Sequence, residues 1–410
     1  MKVVIAGYNV EGKASLKYWL NLGAEMAIAD EKTAIAEAPD GVPLILGAEA
    51  FSRLGDFDLI IRTPGVHPKK LADYGDKVWS ATREFLKACP APIIGVTGTK
   101  GKGTTASLIA SILKASGRRV HLVGNIGLPA LQVVGDIKDN DLVVYELSSF
   151  QLWDVDQSPH VAVILGIEPD HLDVHDSFDD YVHAKGNIAR FQTEADTIVY
   201  NHTDKISSQI ASLSRAGKRV PYPFFIAEYE SSLRIPGKHN IENASAAIAA
   251  TRGYVSDPEA IRQGLASFEG LPHRLKFVAE KNGVKYYDDS IATTPGSSIA
   301  AMHSFSSPKI LILGGSDKGA KYDEVVVVAR ETGTRVLAIG QTGHIIKQLC
   351  DEAGVSAEWF DGLMDEVVNH VSQIASPGSV VMLSPASASF DQYANYKDRG
   401  EQFIKAVEQL

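Results

Sequence analysis

Cysteine is scarce. Cys89 and Cys350 are the two in 410 residues. They lie far apart and show no metal-ligand spacing, which excludes a zinc-finger framework and a disulfide-built secreted scaffold. A reduced, cytoplasmic protein is the consequent reading. No apolar run is long enough to span a bilayer, and residues 1–10, broken by Gly7, are too short for a secretory signal. Positive charge is also in deficit: 40 Lys and Arg against 50 Asp and Glu leave a net charge of −10. That balance argues against nucleic acid or an anionic membrane as the main partner, while a locally basic site for an anionic small molecule stays open. Low-complexity tracts and short-period repeats are missing as well. What is present is ordinary for a soluble globular chain with a full core, 45% hydrophobic and 22% charged residues. The length suggests two to four domains.

The most informative stretch is IIGVTGTKGKGTT at 93–105. Residues 93–96 read as a buried strand and 104–116 as a helix with an apolar stripe at Ala106, Ile109, Ile112 and Leu113, closed by Gly117. Between them lie Gly98, Thr99, Lys100, Gly101, Lys102 and Gly103. A strand, a glycine turn, a lysine, threonines and a helix make a phosphate cradle. Backbone N–H groups and a helix N-terminus face the anion, Lys102 adds charge, and a hydroxyl from Thr104 or Thr105 reaches a metal. The common pattern has Ser or Thr directly after the lysine, where this chain has Gly103.

The remaining chain reads as alternating strands and helices, an α/β protein. Residues 2–6, a turn at 7–12, a helix to 22 and a strand ending at Asp30 form a βαβ unit. A dinucleotide fingerprint would need glycine at Asn9, so NAD is disfavoured. Asp30 stands where an acid holds a ribose or base, or is a strand-end surface acid. Strand 141–146 ends in Glu146 and strand 161–167 runs into Glu168-Pro-Asp-His171, so Glu146 and His171 share the carboxyl-end rim with Lys102. A carboxylate and an imidazole beside a triphosphate suit Mg²⁺. Helix 177–190 is capped by Ser177 and places Lys185 on the face of Tyr181, Ala184 and Ile188. That lysine either snorkels outward or is functional. Asn240 and Asn243 either read a nucleotide edge or serve as a cap and polar face. Beyond residue 270, strands near 285–287, 309–313, 335–339 and 379–383 form a second Rossmann-like sheet whose strand-end loops are rich in Ser, Thr, Asp and Lys.

Together these stretches resemble the Mur ligase family over nearly the whole chain, and its glutamate-adding branch in particular. ELSSFQL at 146–152 is the most discriminating piece. GNIG at 124–127, GKHN at 237–240, His273-Arg274, LGGSDK at 313–318, LSPASASFD at 383–391, Asn395-Tyr396 and Arg399-Gly400 agree with it. The resemblance implies three α/β domains: a Rossmann-like uridine-nucleotide domain at 1–90, a central P-loop ATPase domain at 91–270 and a Rossmann-like amino-acid domain at 271–410. It implies a ligase for peptidoglycan precursor synthesis, acting as a monomer on UDP-N-acetylmuramoyl-L-alanine, glutamate and ATP.

Residue by residue, it implies ATP on 98–105 with Lys102 on the phosphates, and two Mg²⁺ ions held through Thr104, Glu146, His171 and a carbamylated Lys185. Asn240, Asn243, Arg274 and Asp289 would position the nucleotide. Val10, Asp30, Thr63, Pro64, Gly65 and Asn125 would contact the uridine substrate. Thr293, Lys318, Ser389 and Tyr396 would bind the incoming amino acid.

Three departures from the family pattern stand out. Gly103 makes the phosphate loop resemble folylpolyglutamate synthases, the main alternative within ligases. Ile291 replaces a usual lysine, and DDSIATTP at 288–295 resembles a branch that adds L-glutamate instead of D-glutamate. Ser387 replaces a usual cysteine and is expected to be neutral. An NAD(P)-dependent oxidoreductase is the alternative of another class, against which Asn9 and the central phosphate loop argue.

Overall fold

The computed structural model describes residues 1–35 and 37–410. Three sheets organise the chain. The first is parallel, in the spatial order Leu44–Leu46, Glu25–Asp30, Lys2–Ala6, Leu59–Arg62, Val78–Ser80. The second is also parallel, in the order Lys218–Tyr222, Thr197–Asn201, Val161–Ile164, Ile93–Thr97, Leu142–Glu146, Val120–Gly124. The third runs Lys276–Lys281, Val284–Asp288, Val380–Leu383, Lys309–Gly314, Arg335–Ile339, Ala357–Trp359, and its first strand pairs antiparallel. The central strands are continuous apolar runs because helices cover both faces of a parallel sheet, as at Ile93–Thr97 and Leu142–Glu146, buried throughout.

By internal contacts the chain divides into two compact units, 1–230 with 242–265, and 231–241 with 266–410. The first two sheets therefore share a unit. One apolar core runs through both, from Trp19, Ile28 and Phe85 to Tyr145, Ile164 and Tyr181. In the second unit, separate clusters cover the two faces of the third sheet, one around Leu311, Val325 and Met382, the other around Ile312, Val367 and Phe403. No helix among the described residues is long and apolar enough to cross a membrane.

The predicted elements are present with shifted ends. The phosphate-loop helix begins at Lys102 rather than 104, and strand 161–167 is shorter, Val161–Ile164. Short outer strands such as Leu44–Leu46 and Ala357–Trp359 carry too few residues for a periodic signal.

Candidate functional site

Strand Ile93–Thr97 delivers the chain into the glycine loop, and helix Lys102–Ala115 starts directly behind it. Two glycines are required there. Gly98 has φ +155° and a Cβ would meet the Leu165 side chain at 2.6 Å, while Gly101, the helix cap, has φ +82° and a Cβ would meet Asn243 Oδ1 at 2.5 Å. Thr99 staples the loop to the end of the neighbouring strand: its Oγ1 donates to Glu168 O at 3.0 Å, and Glu168 N donates back at 2.9 Å. Lys100 pairs with Glu168 on the surface. Lys102 Nζ folds over the loop, donating to Gly98 O and Thr99 O at 3.1 and 2.9 Å. Thr105 is fully buried and its Oγ1 donates to Asn243 Oδ1 at 3.2 Å. That bond occupies the Thr105 hydroxyl, which favours Thr104 between the two candidates for the metal-binding group.

Glu146 ends strand Leu142–Glu146 and is buried. Lys185, 1% exposed on helix Phe178–Arg190, reaches the same loop: its Nζ donates to Gly98 O at 2.7 Å and lies 4.6 Å from the centroid of the Tyr181 ring. The snorkelling alternative is therefore out. Burial holds the Lys185 ammonium well below its ordinary pKa, and the Lys102 cation adds to this, against the pull of Asp170 and Glu146. His171 lies on the rim with φ +53° and its ring edge-on to Phe150 at 4.9 Å. No three His, Cys, Asp or Glu side chains among the described residues group closely enough to hold a metal. Carbamylation of Lys185 would add an anionic oxygen donor to the carboxylates near this rim, which suits a hard cation.

Two residues here carry no motif signal. His175 is buried and bridges Ser149 Oγ (2.9 Å) and Asp180 Oδ2 (2.7 Å), stacked against Phe150. Asp170 interacts electrostatically with Lys185. A histidine in a loop reads as a surface residue until the fold encloses it, while Asp170 stays half-exposed and acts through its charge.

At the rim of the first sheet, Asn9 caps helix Val10–Asn21, its Oδ1 accepting from Gly12 N at 3.1 Å, which accounts for a non-glycine in that turn. Asp30 is buried, not a surface acid. Its two oxygens accept from Tyr8 N (2.7 Å) and Lys32 N (3.0 Å), holding the turn open around Val10. Thr63 Oγ1 donates to Ala6 O and Gly7 O at 3.0 and 3.1 Å, so the Thr63-Pro64-Gly65 turn lies against the same loop. Asn125 is exposed, just past strand Val120–Gly124.

In the second unit, Thr293, Lys318, Ser389 and Tyr396 line one pocket with Ser316 and Phe390. Its volume is about 180 Å³, below the roughly 300–1,000 Å³ of drug-sized sites, and so of a size for an amino acid. Lys318 Nζ lies 4.9 Å from the Phe390 ring centroid. Beneath it, Arg399, 1% exposed, bonds Ser290 Oγ, Ser290 O, Ser387 O and Ala388 O, at 2.9–3.2 Å, tying the pocket loops together. Ser387 Oγ lies 2.6 Å from Tyr322 OH, a partner for the hydroxyl that replaces the family's thiol.

Asp289, expected at the nucleotide, has both oxygens occupied within its unit, by Leu275 N (3.0 Å) and Ser384 Oγ (2.6 Å). Arg274 is exposed, and Asn240 Nδ2 donates to Pro236 O at 2.6 Å. Burial pushes the Asp289 carboxyl up to about 7. A carboxyl raised on folding favours the folded state when protonated, so this contribution is complete below about pH 4 and is lost as pH rises through about 7. Asp289→Asn removes the titration. The thermal midpoint of the wild type, relative to that variant, is expected to fall between pH 5 and 8. A constant difference across that range would show that Asp289 is ionised throughout.

Two family models match the chain: the Mur ligase middle domain at 96–223 and the Mur ligase, glutamate ligase domain at 273–387. The UDP-N-acetylmuramoylalanine–D-glutamate ligase of Acetivibrio thermocellus is 38% identical over 450 residues, covering 100% of this chain and 96% of that protein. The chain belongs to the Mur ligase family. It is an ATP-dependent ligase that joins an acid to an amino acid, and the oxidoreductase alternative falls. A second relative, the enzyme of the same name from Symbiobacterium thermophilum, is 35% identical, covering 100% of this chain and 98% of that protein. Among solved structures, the UDP-N-acetylmuramate-alanine ligase of Thermotoga maritima matches with a TM-score of 0.63 at 20% identity, covering 100% of this chain and 99% of that chain. The folylpolyglutamate synthase of Thermotoga maritima also shares the fold, with a TM-score of 0.56 at 15% identity, covering 75% of this chain and 90% of that one. The fold alone does not separate the two ligase branches.

Proposed function

We propose that this Mur ligase joins glutamate, in the D configuration, to the alanyl carboxyl of UDP-N-acetylmuramoyl-L-alanine, with ATP hydrolysed to ADP and phosphate. The observation that carries this is the convergence of Thr293, Lys318, Ser389 and Tyr396 on one amino-acid-sized pocket. The full-length relatives are named for D-glutamate, which favours that enantiomer despite Ile291. The pocket and the relatives' names also argue against a folate substrate. Such substrates and products belong to the cytoplasm, and we take the active species to be a monomer.

The chemistry follows from the parts. A carboxylate is a poor electrophile until phosphorylated. The loop at 98–105 holds ATP, and Lys102 stabilises the transferring phosphoryl group. Thr104, Glu146, His171 and the carbamate of Lys185 would hold Mg²⁺, which when bound neutralises charge on phosphate and acyl oxygens. The glutamate amine then attacks the acyl phosphate, and phosphate leaves. The first-sheet loops at Val10, Asp30 and 63–65, with Asn125, take the uridine end. Asn243 takes the ATP nucleoside beside the loop at 98–105, while in the second unit Asp289 accepts from the Leu275 N–H and the Ser384 hydroxyl.

Phosphate release from ATP, measured with the muramoyl acceptor and a panel of amino acids including both glutamate enantiomers, tests the proposal. Release that requires D-glutamate supports it. Release with L-glutamate, or with a folate acceptor, overturns that part. Lys318→Ala is expected to raise the KM for glutamate about 10- to 100-fold, the loss of a charge-assisted hydrogen bond worth about 1.5–3 kcal/mol, with the acceptor KM unchanged. A rise in the acceptor KM instead would place Lys318 outside the amino-acid pocket.

A further inference from the structure

We propose that Arg62 and Asp154 form a positioning clamp that holds the uridine-side turn at 63–66 in register with the arm that follows Glu146; this rests on the proposed acceptor. Arg62 is the last residue of strand Leu59–Arg62 and is 1% exposed. A guanidinium carries five N–H donors in a rigid fork, and here all five are used. Nε donates to Asp154 Oδ2 at 2.6 Å. Nη1 donates to Thr63 O and Val66 O at 3.2 and 3.0 Å. Nη2 donates to Asp154 Oδ1 and Phe150 O at 2.8 and 3.0 Å. One side chain thus brackets both ends of the Thr63-Pro64-Gly65 turn and grips, bidentately, a segment that follows strand Leu142–Glu146 of the second sheet.

The gripped segment leads back to catalysis. It begins at the capping box of Ser148 and Gln151, directly after Glu146. Gln151 makes a second link: its Nε2 donates to Glu11 Oε1 at 3.0 Å while its Oε1 accepts from Ser148 N. Glu11 adjoins Val10 at the start of the first helix. His67 and Trp153 pack with ring centroids 4.7 Å apart. The motif at 146–152 therefore both presents Glu146 and carries the joint to the first sheet. Lysine cannot replace Arg62, because an ammonium is a point donor that cannot span a carboxylate and three carbonyls. Loosening the clamp shifts the acceptor's carboxyl from the phosphate rim. A misplacement of about 1 Å costs up to roughly 100-fold in rate.

The test uses the full chain as wild type, Arg62→Lys, Asp154→Asn and the double variant. Acceptor KM is expected to rise roughly tenfold or more in Arg62→Lys and less in Asp154→Asn, with the ATP KM within about twofold of wild type. The double variant should be no worse than Arg62→Lys, since the pair acts as a unit. Hydrogen exchange without substrate should accelerate at Val66, whose N–H bonds Thr63 O, in both single variants. Equal shifts in the acceptor and ATP constants, additive effects, or unchanged exchange at Val66 would overturn the clamp. If Arg62→Lys does not fold, Asp154→Asn decides by the same readouts. Calorimetric binding of the acceptor by the wild type tests the proposed function separately, while the exchange comparison tests the clamp without any acceptor.

Discussion

Lys102→Ala is expected to lower turnover roughly 10³-fold or more while leaving the fold intact. The effect is large because the transferring phosphoryl group develops charge that this cation, folded over the loop, is placed to meet, in a setting where catalysis is mostly positioning and electrostatics. The fold should survive because alanine is the best helix former at the residue that begins helix Lys102–Ala115. Two measurements decide: phosphate release under saturating acceptor and glutamate, and the thermal midpoint. Near-normal turnover in the folded variant would remove the phosphate-loop assignment.

Lys185→Ala is expected to lose roughly 100-fold or more in activity, and short carboxylates added to the assay should restore part of it. Lys185 is 1% exposed and its ammonium is disfavoured by burial and by Lys102. A neutral amine adds to carbon dioxide with loss of one proton, giving a carbamate, so the environment that penalises the cation favours the modification. The product exchanges a repelling cation for an anionic oxygen donor beside Glu146 and Asp170, which suits a hard divalent metal. Lys185→Arg should not recover, because guanidinium keeps its charge. Carbon-13 bicarbonate should label the wild type with one carbamate carbon that the alanine variant lacks. Full activity of Lys185→Ala, or an unmodified lysine in crystals grown with bicarbonate, would refute the carbamate.

The same lysine shows how far sequence reading reaches. Helical periodicity placed it on the face of Tyr181 and Ile188, which is correct, but left its side chain either outward or functional. Only packing against the phosphate loop buries it. The phosphate loop was legible at once, since glycines, lysine and flanking hydrophobics are all local. Its neighbours His175 and Asp170 were not, and neither, in the second unit, were the bonds of Arg399: such residues belong to loops and helix faces whose partners lie up to 109 residues away, as in the Arg399–Ser290 bond. The resemblance put Asp289 at the nucleotide; only the fold shows its carboxyl accepting from Leu275 N and Ser384 Oγ, with burial pushing it up to about 7.

By itself the sequence determined the α/β class, the strand-loop-helix cradle and the rim of polar strand ends. These depend on periodicity and turn chemistry within a few residues, and parallel strands must carry continuous apolar runs. Tertiary structure alone decided which of those polar residues meet. Thr293, Lys318, Ser389 and Tyr396, spread over a hundred residues, become one pocket because parallel strands bring every carboxyl end to the same edge of a sheet. Arg62 becomes a clamp because Asp154 and two segments of backbone present five acceptors to its five donors, a match that no local pattern encodes.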